Sequence, residues 1–136
     1  MATILVCEDN PDICEMVVFI LKGEGYTVAA TPRGRDVAKL VAERRPDLLL
    51  LDLRIPDMDG YEVLSALRAS ADPAVPPVLV LSAKTSPEDR ALALSLGARE
   101  FLEKPFTLDG LTGAVRRCLR PVGGEAAPTV LREPSA

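Results

Sequence analysis

The chain has 136 residues, of which 48% are hydrophobic and 26% are charged, and its formal net charge is −4 at pH 7. This length and composition predict one folded domain with a hydrophobic core and exclude a disordered chain. The negative charge argues against direct binding of nucleic acid, which selects basic surfaces. No apolar run approaches the ~20 residues of a membrane span, and the first residues lack the basic stretch of a secretory signal. We therefore expect a cytoplasmic protein without membrane contact.

Two residue types narrow the possible chemistry. The chain contains no histidine, which excludes a Ser-His-Asp triad and a histidine-ligated zinc site within it. The three cysteines, Cys7, Cys14 and Cys118, lack a metal-binding spacing, so we interpret them as reduced packing residues. A bound metal ion would then need oxygen ligands, which favours magnesium, calcium or manganese.

Short apolar runs alternate with amphipathic segments along the chain. The runs predict five strands, at residues 3–7, 27–30, 48–51, 77–81 and 99–102. Cap and breaker residues delimit five predicted helices, at residues 11–23, 33–44, 60–69, 86–97 and 107–119. This alternation predicts an α/β fold with a parallel sheet covered on both faces. Residues 1–120 form the predicted domain, and the Pro-, Gly- and Ala-rich residues 121–136 are predicted to be a flexible C-terminal tail or linker remnant.

Residue spacing also predicts which helix faces are buried and where helices begin. Met16 belongs to an apolar stripe on the first helix, and Leu108 begins a similar stripe on the last; we expect both to face the sheet. Asn10 is predicted to cap the first helix. Asp57 and Asp59 could form half of a calcium loop, but no later glutamate completes it. We interpret these two aspartates as turn and cap residues.

Polar side chains fall where the predicted strands end. Glu8 and Asp9 follow the first strand, Asp52 ends the third, Ser82 follows the fourth and Lys104 lies just past the fifth. Because the carboxyl ends of parallel strands meet at one edge of the sheet, these groups are predicted to cluster there.

A cluster of carboxylates needs a cation to stay ionised, because like charges and burial both raise the pKa of a carboxyl group. Magnesium suits an all-oxygen site. Lys104 adds a positive charge, and we expect it to pair with Asp52 in the resting state. A carboxylate beside magnesium and an ammonium group is suited to attack a phosphoryl group, with the Ser82 hydroxyl as a further hydrogen-bond donor.

With these residues in place, the chain closely resembles the receiver domain of two-component response regulators. The resemblance covers about residues 3–120. It rests on four motifs in order: Glu8-Asp9 with Asn10-Pro11, LDLRIPDMDG from Leu51 to Gly60, Ser82-Ala83, and Lys104-Pro105-Phe106. It implies a flavodoxin-like (βα)5 fold, a doubly wound parallel five-stranded sheet with strand order 2-1-3-4-5.

The resemblance also implies roles for these residues. Asp52 would accept a phosphoryl group from a histidine kinase or a histidine phosphotransfer protein. Magnesium, or manganese, would be bound by Asp9, Asp52 and the backbone carbonyl of Arg54, with Glu8 acting through a water molecule. Lys104 would bridge to the phosphate, and its peptide bond to Pro105 would be cis.

Ser82 and Phe101 match the switch pair of the family, in which the hydroxyl moves toward the phosphoryl group and the aromatic ring turns inward. The chain would then be a switch for a partner or output domain, catalysing only its own phosphoryl transfer and autodephosphorylation. The resemblance leaves the output partner unknown. It suggests a homodimer through the face of the fourth helix, fifth strand and fifth helix.

Two other functions remain open at this stage. A small magnesium-dependent phosphohydrolase would also use an aspartate nucleophile, but such enzymes place a second acid two residues later, where this chain has Arg54. A degenerate receiver that only docks partners is the other alternative, and the presence of Asp52 and Lys104 argues against it. Phe101 could also be an ordinary packing residue.

Overall fold

The computed structural model describes residues 2–70, 75–83 and 86–120. The predicted tail, residues 121–136, lies outside the described residues. Five parallel strands form one sheet in the order β2-β1-β3-β4-β5, which confirms the predicted topology. The strands are β1 (Thr3–Cys7), β2 (Thr27–Thr31), β3 (Leu48–Asp52), β4 (Val78–Ser82) and β5 (Glu100–Glu103).

Helices follow each strand in turn. They are α1 (Pro11–Gly23), α2 (Val37–Arg44), α3 (Gly60–Ala69), α4 (Pro87–Ser95) and α5 (Leu108–Leu119), and a 3-10 helix (Gly34–Asp36) directly precedes α2. The prediction of a single helix over residues 33–44 is therefore wrong in its first turn. A tertiary contact decides this turn, since a carboxylate from elsewhere in the chain binds the amides of Gly34 and Arg35.

The helices cover the sheet in two layers, and each layer encloses a separate half of the core. Apolar residues of α2, α3 and α4 pack with Leu49 and Leu51 on one face. Those of α1 and α5 pack with Leu48 and Leu50 on the other. Successive side chains of a strand point to opposite faces, so the four leucines of β3 fill both halves, and all five residues of β3 are buried.

The predicted helix starts are confirmed where polar residues precede a helix. The Asn10 side chain accepts hydrogen bonds from the amides of Asp12 and Ile13 at the start of α1. Asp59 caps α3 and forms a capping box with Glu62. These bonds satisfy N–H groups that the first helical turn leaves without partners.

Two predictions of buried apolar residues are wrong. Met16 is 44% exposed and Leu108 is 59% exposed. The stripe of α5 that does reach the sheet consists of Leu111, Ala114, Val115 and Cys118. Periodicity places Leu108 on this side of the helix, but Leu108 is the first residue of α5 and the buried stripe begins only at Leu111.

Candidate functional site

Lys104 lies between two buried carboxylates at the carboxyl edge of the sheet. Its ammonium nitrogen is 2.6 Å from Glu8 Oε1 and 3.2 Å from Asp52 Oδ2. Glu8 is 2% exposed and Asp52 is 4% exposed. The predicted pairing of Lys104 with Asp52 is present, but the shorter contact is with Glu8. Glu8 and Lys104 are 96 residues apart in the sequence, so the fold brings them together.

The carboxylates of Glu8, Asp9 and Asp52 converge as the sequence predicts. One carboxylate oxygen from each lies within 4.8 Å of the other two. The pairing of β1 with β3 accounts for this, because the two strands are adjacent and end side by side. Asp9 is exposed whereas the other two are buried. Three acids on one open edge fit a hard dication, which binds through oxygen and keeps several waters.

Burial and the pairing of opposite charges shift the pKa values of Glu8 and Lys104 in opposite directions. Burial raises the pKa of Glu8, and the nearby Asp52 raises it further, while the hydrogen bond from Lys104 lowers it. For Lys104, burial lowers the pKa, but the bond to Glu8 and the charge of Asp52 outweigh this and raise it. The ammonium group therefore stays charged and balances only part of the acidic cluster, which leaves the site attractive to a second cation.

Ser82 and Phe101, the predicted switch pair, lie on the β4–β5 side of this cluster. Ser82 is fully buried at the end of β4, and its backbone carbonyl accepts a hydrogen bond of 2.8 Å from the Lys104 amide. Phe101 of β5 lies opposite Val80 of β4 and is 7% exposed. Strand alternation puts both side chains on the same face of the sheet. Their movement on phosphorylation stays a prediction.

Arg54 and Pro105 are the remaining residues that the resemblance singled out. The Arg54 amide donates a hydrogen bond of 3.0 Å to Asp52 Oδ1, which fixes the carboxylate against the start of the following loop. The Arg54 carbonyl as a metal ligand stays a prediction. The Lys104–Pro105 peptide bond is cis, as expected.

Asp57 does cap a helix, although a distant one. Its carboxylate accepts hydrogen bonds from the amides of Gly34 and Arg35, which lie 23 and 22 residues earlier in the chain. These bonds, that of Gly34 first, lower the pKa of Asp57. The interpretation of Asp57 as a cap residue is confirmed, but residue spacing does not indicate which helix it caps.

Sequence reasoning missed a second polar contact between elements. The Tyr61 hydroxyl at the start of α3 donates a hydrogen bond of 2.9 Å to Asp89 in α4, and Asp89 also accepts one of 2.7 Å from the Ser86 hydroxyl. Arg90, the next residue, places its guanidinium 4.9 Å from the centre of the Phe101 ring. The Ser86–Asp89 bond belongs to the cap of α4, which has a local pattern. The contacts of Tyr61 and Arg90 have none, because each joins two different elements.

The sheet order and the cluster of acids with one lysine at its carboxyl edge are those of a signalling receiver domain. The model of the response regulator receiver domain family matches residues 4–116. The chain belongs to this family.

Curated relatives in mycobacteria are longer than this chain. The DNA-binding response regulator MtrA of Mycolicibacterium smegmatis is 43% identical over 117 residues, which are 86% of this chain and 50% of MtrA. The probable transcriptional regulatory protein TcrX of Mycobacterium tuberculosis is 37% identical, with 89% of this chain and 51% of TcrX covered. The chain thus spans about half the length of the curated relatives it matches.

Solved receiver domains share the whole fold. The BeF3-activated receiver domain of Klebsiella pneumoniae RstA has a TM-score of 0.80 at 28% identity, with 88% of this chain and 99% of the RstA domain covered. The Vibrio cholerae chemotaxis protein CheY4 has a TM-score of 0.81 at 32% identity, with the same coverage. In the part of the chain that the structure describes, no helix has the length and apolar character needed to cross a membrane.

Proposed function

We propose that Asp52 is the phosphoacceptor of this receiver domain and that the phosphoryl donor is a histidine kinase or a histidine phosphotransfer protein. One observation carries the proposal: the Asp52 carboxylate is buried at the carboxyl end of a central strand, with a lysine 3.2 Å from one oxygen and the Arg54 amide 3.0 Å from the other. Both groups hold the carboxylate in place at the carboxyl edge of the sheet.

In the proposed transfer, an Asp52 oxygen attacks the phosphorus of a phosphohistidine. An O–P bond forms, the N–P bond breaks, and the partner's imidazole leaves with the electron pair. The product is an acyl phosphate on Asp52. Water later attacks the same phosphorus, which regenerates the carboxylate and releases inorganic phosphate, so the domain turns over only its own phosphoryl group.

The acidic cluster and Lys104 would stabilise the phosphoryl group in different ways. Glu8, Asp9, Asp52 and the carbonyl of Arg54 would hold Mg²⁺, with Glu8 acting through a water. When bound, the ion supplies positive charge against the phosphoryl oxygens. The Lys104 ammonium would leave its bond with Asp52 and donate to a phosphoryl oxygen, while Glu8 keeps the lysine near the reacting atoms.

The buried Ser82 hydroxyl would donate to a second phosphoryl oxygen and so sense the modification. Phe101, on the same face of the sheet, would follow with a change of rotamer. Arg90 covers this ring and lies 3.8 Å from Glu103, so the change would reach the surface formed by α4, β5 and α5. Phosphorylation would change the populations of two conformations that share the same fold.

Transcriptional control is the output that the relatives favour. MtrA is named as a DNA-binding response regulator and matches this chain through 50% of its length. We propose that phosphorylation here controls a DNA-binding segment or partner. The receiver itself would not contact the nucleic acid, since the whole chain has a net charge of −4. A cytoplasmic site of action follows from the proposal.

The test uses acetyl phosphate and Mg²⁺ with the full chain, followed by intact mass measurement. We expect one labile phosphoryl adduct in the unmodified sequence and none in Asp52→Asn. Asp109→Asn, which changes an exposed acid in the first turn of α5, should keep the adduct.

Three outcomes would contradict the proposal. Steady hydrolysis of an added phosphate ester without an adduct would favour the phosphohydrolase alternative. An adduct that persists in Asp52→Asn would place the phosphoacceptor elsewhere. The absence of any adduct in the unmodified sequence would favour a receiver that only docks partners.

A further inference from the structure

The loop of residues 53–59, between β3 and α3, follows directly after the proposed phosphoacceptor Asp52. Its exposed tip is tied to another part of the fold by Asp57. Asp57 Oδ1 accepts a hydrogen bond of 2.9 Å from the Gly34 amide, and Oδ2 accepts one of 3.1 Å from the Arg35 amide. One carboxylate therefore binds two successive amides with both of its oxygens.

The two amides need this partner because the 3-10 helix has no cap of its own. Arg33, at the N-cap position, has no side chain that accepts from the amides of this helix; its guanidinium donates instead to the Asp36 carboxylate. The first N–H groups of a helix have no partner within it. Asp57, which is distant in the sequence, supplies the hydrogen-bond acceptor that an adjacent Ser, Thr, Asn or Asp usually supplies at a helix start.

Gly34 shows how closely the loop and the helix start approach each other. A Cβ at Gly34 would lie 2.6 Å from Ile55 Cδ1 and 3.2 Å from Met58 Cβ. Ile55 is 6% exposed. The loop tip is therefore held in two ways, by the hydrogen bonds of Asp57 and by a close apolar contact next to them.

The base of the same loop is fixed independently. The Gly60 amide donates a hydrogen bond of 3.2 Å to the Leu53 carbonyl, and a Cβ at Gly60 would lie 2.5 Å from Leu53 Cα. Arg54 lies between these two anchors, with its amide bonded to Asp52. The backbone that carries its carbonyl therefore runs between two fixed points, Leu53 at the base and Asp57 at the tip.

We propose that Asp57 is a positioning residue for the dication, because it holds the loop in the path that presents the Arg54 carbonyl beside Asp52. This inference rests on the proposed function, in which Arg54 supplies a ligand. The carboxylate cluster of Glu8, Asp9 and Asp52 does not include Asp57. Asp57 therefore acts through the backbone of the loop and not as a ligand.

The experiment measures Mg²⁺ binding to the full chain by calorimetry, together with hydrogen exchange of the Gly34 and Arg35 amides. In Asp57→Ala we expect the dissociation constant for Mg²⁺ to rise on the order of tenfold, which is typical when a partner beyond the direct ligands is lost. Both amides should lose exchange protection. Asp57→Asn keeps one acceptor oxygen and should give intermediate values for both measurements.

Asp59→Ala is the matched control, because it makes the same substitution two residues away and removes the cap of α3. It should lower the thermal stability and leave the Mg²⁺ dissociation constant within about twofold of the unmodified value, since a helix cap acts mainly on stability. A merely structural role for Asp57 would give the same result as this control.

The outcomes separate this inference from the proposed function. An unmodified chain that binds no Mg²⁺ overturns the proposed function and the inference with it. Normal binding in the unmodified chain and in Asp57→Ala overturns the inference alone. Equal losses in the asparagine and alanine variants would mean that the charge of Asp57 acts at a distance, which also overturns it. If the alanine variant does not fold, an unchanged dissociation constant in Asp57→Asn overturns the inference.

Discussion

The ammonium group of Lys104 lies closer to Glu8 than to Asp52, at 2.6 Å against 3.2 Å. Glu8 therefore forms the shorter ion pair with Lys104, and Asp52 is the partner that the lysine can release. Because a phosphoryl group on Asp52 would take over as an acceptor, Lys104 can change its partner while Glu8 stays in place.

Replacing Lys104 with methionine should affect metal binding and phosphorylation in opposite directions. Loss of the ammonium removes a cation that repels Mg²⁺, so the affinity for Mg²⁺ should rise several-fold by Coulomb's law at short range. The rate of adduct formation from acetyl phosphate should fall on the order of 100-fold, as when one donor to a developing charge is removed. Calorimetry and time-resolved mass measurements test the two effects. Lys39→Met, at an exposed position of α2, is the control, and a parallel loss of both properties would argue against this role.

Two glycine substitutions should change the free energy of unfolding with opposite signs. Gly60→Ala places a Cβ 2.5 Å from the Leu53 backbone and should destabilise the fold by about 1–3 kcal/mol, the usual cost of overpacking. Gly113 lies inside α5, where the nearest atom to an added Cβ is the end of the Arg117 side chain at 3.4 Å. Gly113→Ala should stabilise the fold by about 0.5–1 kcal/mol. Urea unfolding of both variants measures the difference, and equal effects would contradict the packing described here.

The Tyr61–Asp89 bond predicts a transition at alkaline pH. Burial first, and then the bond to Asp89, raise the pKa of Tyr61 from 10.0 to about 12. A group whose pKa is raised on folding stabilises the fold fully below its unfolded pKa and loses that contribution as the pH rises through the folded value. The contribution of Tyr61 should therefore be constant below about pH 10 and disappear toward pH 12.

Tyrosinate absorbance measures this transition directly, because the chain has two tyrosines and no tryptophan. Tyr61→Phe should remove the late step of the titration and lower the stability at neutral pH by about 1 kcal/mol. Tyr26→Phe should leave the late step in place. Ionisation of Tyr61 near its ordinary pKa would show that the bond to Asp89 does not persist in solution.

Dimerisation through the face of α4, β5 and α5 is testable by elution volume. Beryllofluoride, which mimics a phosphoryl group on aspartate, should move the chain to a larger apparent size in the presence of Mg²⁺. Asp52→Asn should elute at the same volume with and without it. Unchanged elution of the unmodified chain would argue against a phosphorylation-controlled dimer.

Prediction from the sequence succeeded where the signal was local or repeated. The leucines that lead to Asp52 form a continuous apolar run, which fits a strand buried on both faces, and the structure has β3 there. Asn10 and Asp59 cap the helices that immediately follow them. The prediction failed for Leu108, because periodicity gives the side of a helix that faces the sheet but not the point at which the sheet ends.

The sequence by itself determined the order of elements, the two-sided burial of the sheet and the strand ends at which the acids and the lysine lie. It could do so because hydrophobic periodicity and cap chemistry act over a few residues. Only the tertiary structure decided that Lys104 is held mainly by Glu8, that Asp57 caps a helix 23 residues earlier and that Tyr61 bonds α4. Each of these contacts joins segments far apart in the chain, so its geometry depends on how the sheet is ordered and how the helices pack against it.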